Sequence, residues 1–83
     1  MKTTKKQLAN FAIGLIKEIL KQNSSAQVQY RKGATIVWFY DGDTLKEGIY
    51  LYDYHSLKEN KDKFKKAILK IRGIVLWKQY KNK

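Results

Sequence analysis

Residues 28–54 read Val28-Gln29-Tyr30-Arg31-Lys32-Gly33-Ala34-Thr35-Ile36-Val37-Trp38-Phe39-Tyr40-Asp41-Gly42-Asp43-Thr44-Leu45-Lys46-Glu47-Gly48-Ile49-Tyr50-Leu51-Tyr52-Asp53-Tyr54. Val28 and Tyr30 alternate with Gln27, Gln29 and Arg31, and Thr35 to Tyr40 is an unbroken run of β-branched and aromatic residues, so two strands are expected. Between them, Arg31-Lys32-Gly33-Ala34 supplies a glycine where a tight hairpin needs positive φ. Asp41-Gly42-Asp43-Thr44 repeats the turn signal, and Ile49 to Tyr54, after Gly48, alternates as a third strand. The centre of the chain is thus predicted to be a three-stranded antiparallel meander.

On the N-terminal side, Leu8, Phe11, Ala12, Leu15, Ile16, Ile19 and Leu20 recur at intervals of three and four, with Lys5, Lys17, Glu18 and Lys21 on the other side. The pattern predicts an amphipathic helix over 4–22, capped by Thr3 or Thr4 and ending in Asn23-Ser24-Ser25. Gly14 inside it costs roughly 1 kcal/mol against alanine and is expected to mark a close helix-to-sheet contact. On the C-terminal side, Leu57, Phe64, Ala67, Ile68 and Ile71 form the stripe of a second helix over 57–72, opened by a capping box of Ser56 and Glu59 and closed by Gly73. Ile74-Val75-Leu76-Trp77 reads as a short fourth strand, or as a continuation of the helix through Gly73 with Val75 on the same stripe. The result is a single α+β domain over 1–83, with both helices on one face of a small antiparallel sheet.

This element order resembles that of the double-stranded-RNA-binding domain. That family opens its last helix with a glycine- and lysine-rich motif, which Leu57-Lys58-Glu59-Asn60-Lys61 does not match. The resemblance therefore implies topology and assigns no residue a role.

The chain has 83 residues and a formal net charge of +11, while 43% apolar residues, including eleven aromatics, place it outside the low-hydrophobicity disordered class. It contains no cysteine and no proline, which excludes disulfides, zinc ribbons, thiol chemistry and proline-dependent turns. Its apolar stretches are periodic rather than continuous, so neither a membrane span nor a signal peptide is expected, and a cytoplasmic location is the expectation. Lysine outnumbers arginine 16 to 2, a choice that favours solvated point charges over the planar forks that read base edges.

Catalytic material is thin. His55 is the lone histidine and is best accounted for as a turn residue; Asp41 and Asp43 lack a third oxygen ligand at fixed spacing, and a hairpin turn explains them. The chain is expected to have no enzymatic activity, no metal and no cofactor.

Charge carries the functional expectation. Residues 56–83 hold ten Lys and Arg against Glu59 and Asp62, so +8 of the +11 lies in the C-terminal third. At 100° per residue, Lys58, Lys65 and Arg72 share one flank of the second helix with Lys61 close by, a row able to follow a phosphate backbone. Arg31 and Lys32 at the first hairpin tip form a second contact. Tyr50, Tyr52 and Tyr54 share one face of the third strand, while Ile36, Trp38 and Tyr40 share one face of the second. Rings on an open sheet beside lysines suit base stacking, and suit equally a partner or homodimer interface.

The expected function is non-enzymatic binding of DNA or RNA through backbone electrostatics with weak sequence preference. The alternative is a small interaction module, or an inhibitor of the phage or mobile-element type, that meets an acidic protein partner through its lysines and tyrosines.

Overall fold

The computed structural model describes residues 2–73. Helix α1 (Lys5–Gln22) is followed by strands β1 (Gln27–Arg31), β2 (Ala34–Asp41) and β3 (Thr44–Tyr52) and by helix α2 (Leu57–Ile71). The strands pair antiparallel in the order β1-β2-β3, and both helices lie on one face of the open sheet. The α+β architecture expected from the periodicities is therefore present. The segment Ile74–Trp77, read from the sequence as a fourth strand, falls outside the described residues.

Local chemistry sets the element ends. Thr4 caps α1 in a reciprocal box with Gln7, and Asn23 in the left-handed region closes it. Both hairpins are two-residue turns. Gly33 has φ +81° at the second position of one, and Gly42 has φ +63° at the first position of the other, where a II′ turn requires it. Such a short second turn lets β3 resume at Thr44, earlier than the alternation after Gly48 suggested. A register shift between Phe39 and Tyr40 leaves Lys46 without a partner and re-phases β3 so that Ile49 and Leu51 face the helices. Ser56 caps α2 by accepting from the Glu59 amide. The expected return bond of the capping box is replaced: the Glu59 carboxylate turns instead to His55 Nδ1, 3.4 Å away, and Lys63 Nζ, 3.7 Å away.

Leu8 and Leu15 of α1, Val37, Ile49 and Leu51 of the sheet, and Ala67 and Ile71 of α2 form the core, with Phe11, Ile19, Phe64 and Ile68 packed against it. The helices run side by side in the same direction: Phe11 meets Phe64 with ring centroids 5.1 Å apart, and Arg72 meets Glu18 about two turns further on. Gly14 makes its close approach to the Phe64 ring, not to the sheet; a Cβ there would stand 3.1 Å from the ring. Two readings of α1 change. Ile16 and Leu20 are 44% and 75% exposed, together with Ile13 at 50%, because α1 lies over the five-residue edge strand β1, too narrow a surface to cover that flank. Glu18 is 8% exposed rather than solvated, since Arg72 Nε and Nη2 reach its two carboxylate oxygens at 3.0 and 3.3 Å and Gln22 Nε2 donates at 2.8 Å.

A buried polar knot joins the two helix starts. Asn60 donates through Nδ2 to Thr3 Oγ1 at 2.6 Å and to the Tyr52 carbonyl at 2.7 Å, while Thr3 donates to the His55 carbonyl at 3.0 Å. Thr35 ties the sheet to α1 by donating to the Leu8 carbonyl at 2.8 Å. Replacing Asn60 by alanine removes its bonds to Thr3 and to the Tyr52 carbonyl, which keeps only the His55 amide at 3.2 Å, and the expected cost is about 1–3 kcal/mol in urea unfolding. The hydrogen bond from Arg72, helped by that from Gln22, holds the Glu18 carboxyl below its ordinary value against the opposing effect of burial. A depressed carboxyl stabilises the fold above the ordinary glutamate range and loses that contribution as pH falls through the lowered value. Melts from pH 7 to pH 2 should show Glu18→Gln less stable than the parent at neutrality, with the gap closing as acid protonates Glu18 in the parent.

Candidate nucleic-acid interface

The face without helices is built by strand alternation: Gln29 and Arg31 from β1, Ala34, Ile36, Trp38 and Tyr40 from β2, and Tyr50 and Tyr52 from β3 all point away from α1 and α2. Ile36 is only 2% exposed although it stands apart from the core, shielded by its ringed neighbours on this face.

Trp38 lies across the sheet. Its indole N–H donates to Gln29 Oε1 on β1 at 3.1 Å, and its six-membered ring sits above Gly48 on β3. A Cβ at position 48 would stand 2.7 and 2.8 Å from ring carbons Cζ3 and Cε3, closer than any side chain permits. The absent side chain of Gly48 therefore lets the ring reach over β3 while its N–H meets β1, and Trp38 stays part-exposed. A glycine inside a strand is the sequence signal for such an approach, but pairing it with Trp38 requires the register.

The tyrosines behave differently. Tyr50 stands at 84° to the indole, centroids 5.4 Å apart, and Tyr52 and Tyr54 continue as parallel rings at 5.7 and 4.9 Å with interplanar angles of 13° and 16°. His55 lies edge-on beside the Tyr52–Tyr54 pair, 5.3 and 4.7 Å from the two rings. These separations are those of rings in mutual contact: Tyr52 is sandwiched between Tyr50 and Tyr54, while Tyr54, at the end of the row, is 60% exposed. Tyr50, Tyr52 and Tyr54 thus form a stacked row beside Trp38, with Tyr54 its open end.

Cations border this row on both sides. A groove of about 560 Å³, floored by Ala34 and Ile36, runs between Arg31 and Lys32 on one bank and the tyrosines on the other, with Asp53 at its end. A second groove of about 280 Å³ lies between Tyr50 and Tyr52 and the α2 residues Lys63 and Lys66. Lys63 donates to the Tyr50 carbonyl at 3.1 Å and approaches His55 Nδ1 at 3.4 Å, so it also plugs the outer edge of β3.

The remaining sequence-selected residues fall elsewhere. Lys58, Lys61 and Lys65 are exposed on the outer flank of α2, away from the rings, and Lys58 pairs with Asp62 at 3.6 Å. Arg72, on that same flank, is engaged by Glu18, which raises the guanidinium above its usual value. The outer row of four thus holds one exposed ion pair, Lys58 with Asp62, one structural ion pair, Arg72 with Glu18, and two lysines, Lys61 and Lys65, for which no ion pair occurs among the described residues. Lys63, Lys66 and Lys70 occupy the flank that faces β3, with Lys70 paired to Glu47 at 2.6 Å. Sequence reasoning missed Lys63 and Lys66 because heptad spacing selects a flank without saying which flank meets the sheet.

Asp41 and Asp43 are exposed on either side of the turn glycine, and among the described residues no three histidine, aspartate or glutamate side chains converge. No helix among the described residues is long and apolar enough to cross a membrane. No protein-family model, curated protein or solved structure matches the chain. The likeness to the double-stranded-RNA-binding domain accordingly remains one of element order.

Alanine at position 48 should lift the Trp38 ring and cost about 1–3 kcal/mol, as for other overpacked sites. In a Trp38→Leu background the same substitution should cost far less, and a double-mutant cycle by urea unfolding measures the difference.

Proposed function

We propose that this chain is a non-enzymatic nucleic-acid-binding domain that grips the phosphate backbone with weak sequence preference, and that it does so through the open face of its sheet. The observation that carries the reading is the placement of Arg31 and Lys32 on one side of the ring-bearing face and Lys63 and Lys66 on the other. Cations on both banks of an aromatic surface match the two demands of a nucleic-acid strand, neutralised phosphates and a surface for its bases. The net charge of +11 adds a long-range attraction to any polyanion. Lysine as the dominant cation suits backbone contact over base-edge reading. The outer row of Lys58, Lys61 and Lys65 serves as a secondary, more distant source of field, and Arg72, two of whose guanidinium nitrogens are engaged by Glu18, contributes less to it.

Anisotropy titrations against labelled oligonucleotides at several salt concentrations test this. Four engaged phosphates on a single strand give a slope of log affinity against log salt of about −3, at ~0.7 per phosphate. Lys66→Glu should flatten that slope and weaken binding across all sequences alike, whereas Lys65→Glu, on the outer flank, should do so less. Salt-independent or absent binding, together with retention of one acidic protein in nuclease-treated pull-downs, would replace this reading with the interaction module.

A further inference from the structure

We infer, building on that reading, that the polymer is bound single-stranded, with one unpaired base lying flat on Trp38. Three features of the structure converge on that residue. The indole is held at one end by its hydrogen bond to Gln29 and at the other over the bare backbone of Gly48, and Trp38 remains part-exposed. Tyr50 rises at 84° beside it, making a corner whose floor receives the plane of a base and whose wall meets the base's edge. Lys63 and Lys66 stand beyond Tyr50, beside the groove that reaches Gly48, where the phosphate of a base seated on Trp38 falls.

A duplex cannot use this arrangement, because its bases expose their edges in the grooves and bury their faces in the stack. Among the neighbouring tyrosines, Tyr52 is stacked between Tyr50 and Tyr54, and Tyr54, 60% exposed at the end of the row, stands outside the corner that Trp38 and Tyr50 form. The site is therefore selective for strandedness, through one platform, and tolerant of base identity, since every base has a π-face.

The test uses the full chain with Trp77→Phe, which leaves Trp38 as the one indole. Short single-stranded oligonucleotides and a duplex of equal length are titrated at 50 mM salt, reading indole fluorescence and the anisotropy of the labelled strand. Single strands are expected to quench Trp38 and duplex is not. Trp38→Ala should weaken single-strand binding by about 5- to 150-fold, the range found for base–aromatic stacking, with Trp38→Phe recovering part of the loss and the salt slope unchanged. If these variants fold poorly, ultraviolet cross-linking of the unmodified chain to a single strand, mapped by peptide mass spectrometry, should place the adduct on Trp38. Binding of single strand and duplex with equal affinity and no quenching, or an adduct on another residue, overturns the inference while leaving the electrostatic reading intact. Failure of every oligonucleotide to bind removes both.

Discussion

A three-stranded sheet has two faces, and in this chain both helices lie on the same one. Parallel packing of α1 against α2 through Phe11, Gly14 and Phe64 uses that face fully, with Val37, Ile49 and Leu51 beneath it. Everything on the opposite face must then be stabilised by the strands' own side chains. The solution is visible at Ile36, which is withdrawn from water without a helix above it. Large rings laid across neighbouring strands do the covering, and Tyr50 pairs with Ile36 across the ladder. The aromatic surface is in the first instance a consequence of topology, since a sheet with helices on one side needs a roof of its own on the other. Its capacity for a ligand follows because a roof made of planar, amphipathic rings is also a place for planar molecules to rest.

Charge is distributed under the same constraint. Of the α2 cations, Arg72 is committed to Glu18 and Lys70 to Glu47, both in pairs that fasten the helix to the rest of the fold. Lys63 is divided between holding the β3 edge and facing the groove. Lys66 is the member of that flank for which no ion pair occurs among the described residues. Net charge measured on the sequence therefore overstates what is available to a ligand, while the cations beside the rings are the ones whose position matters. The distinction also separates the two flanks of α2: the outer lysines act at a distance, through screened fields that weaken within roughly 10 Å at ordinary salt, and the inner ones act by contact.

Periodicity made much of this legible before any coordinates. The meander, its hairpin glycines, the two amphipathic helices and their caps at Thr4 and Ser56 are local patterns, and each is present in the fold. What escaped was set by contacts distant in sequence. Glu18 sits among lysines on a helix and reads as solvated until Arg72, 54 residues later, is brought to it. Asn60 looks like a surface residue of a first helical turn, yet it is fully buried because Thr3 and the Tyr52 carbonyl converge there. The start of β3 was hidden by Lys46 and Glu47, which break the alternation at a bulge. At the site, alternation assigned the tyrosines to the correct face but not their mutual stacking, and the role of Trp38 depended on knowing that Gly48 lies opposite.

That last pairing reaches into the history of any lineage descended from this chain. Positions 38 and 48 behave as a coupled pair: as long as the indole persists, any side chain at position 48 must displace its six-membered ring, at a cost in folding stability. Substitution at position 48 is therefore easier in a lineage that has already exchanged the tryptophan for a smaller residue, and sterics favour that order of events.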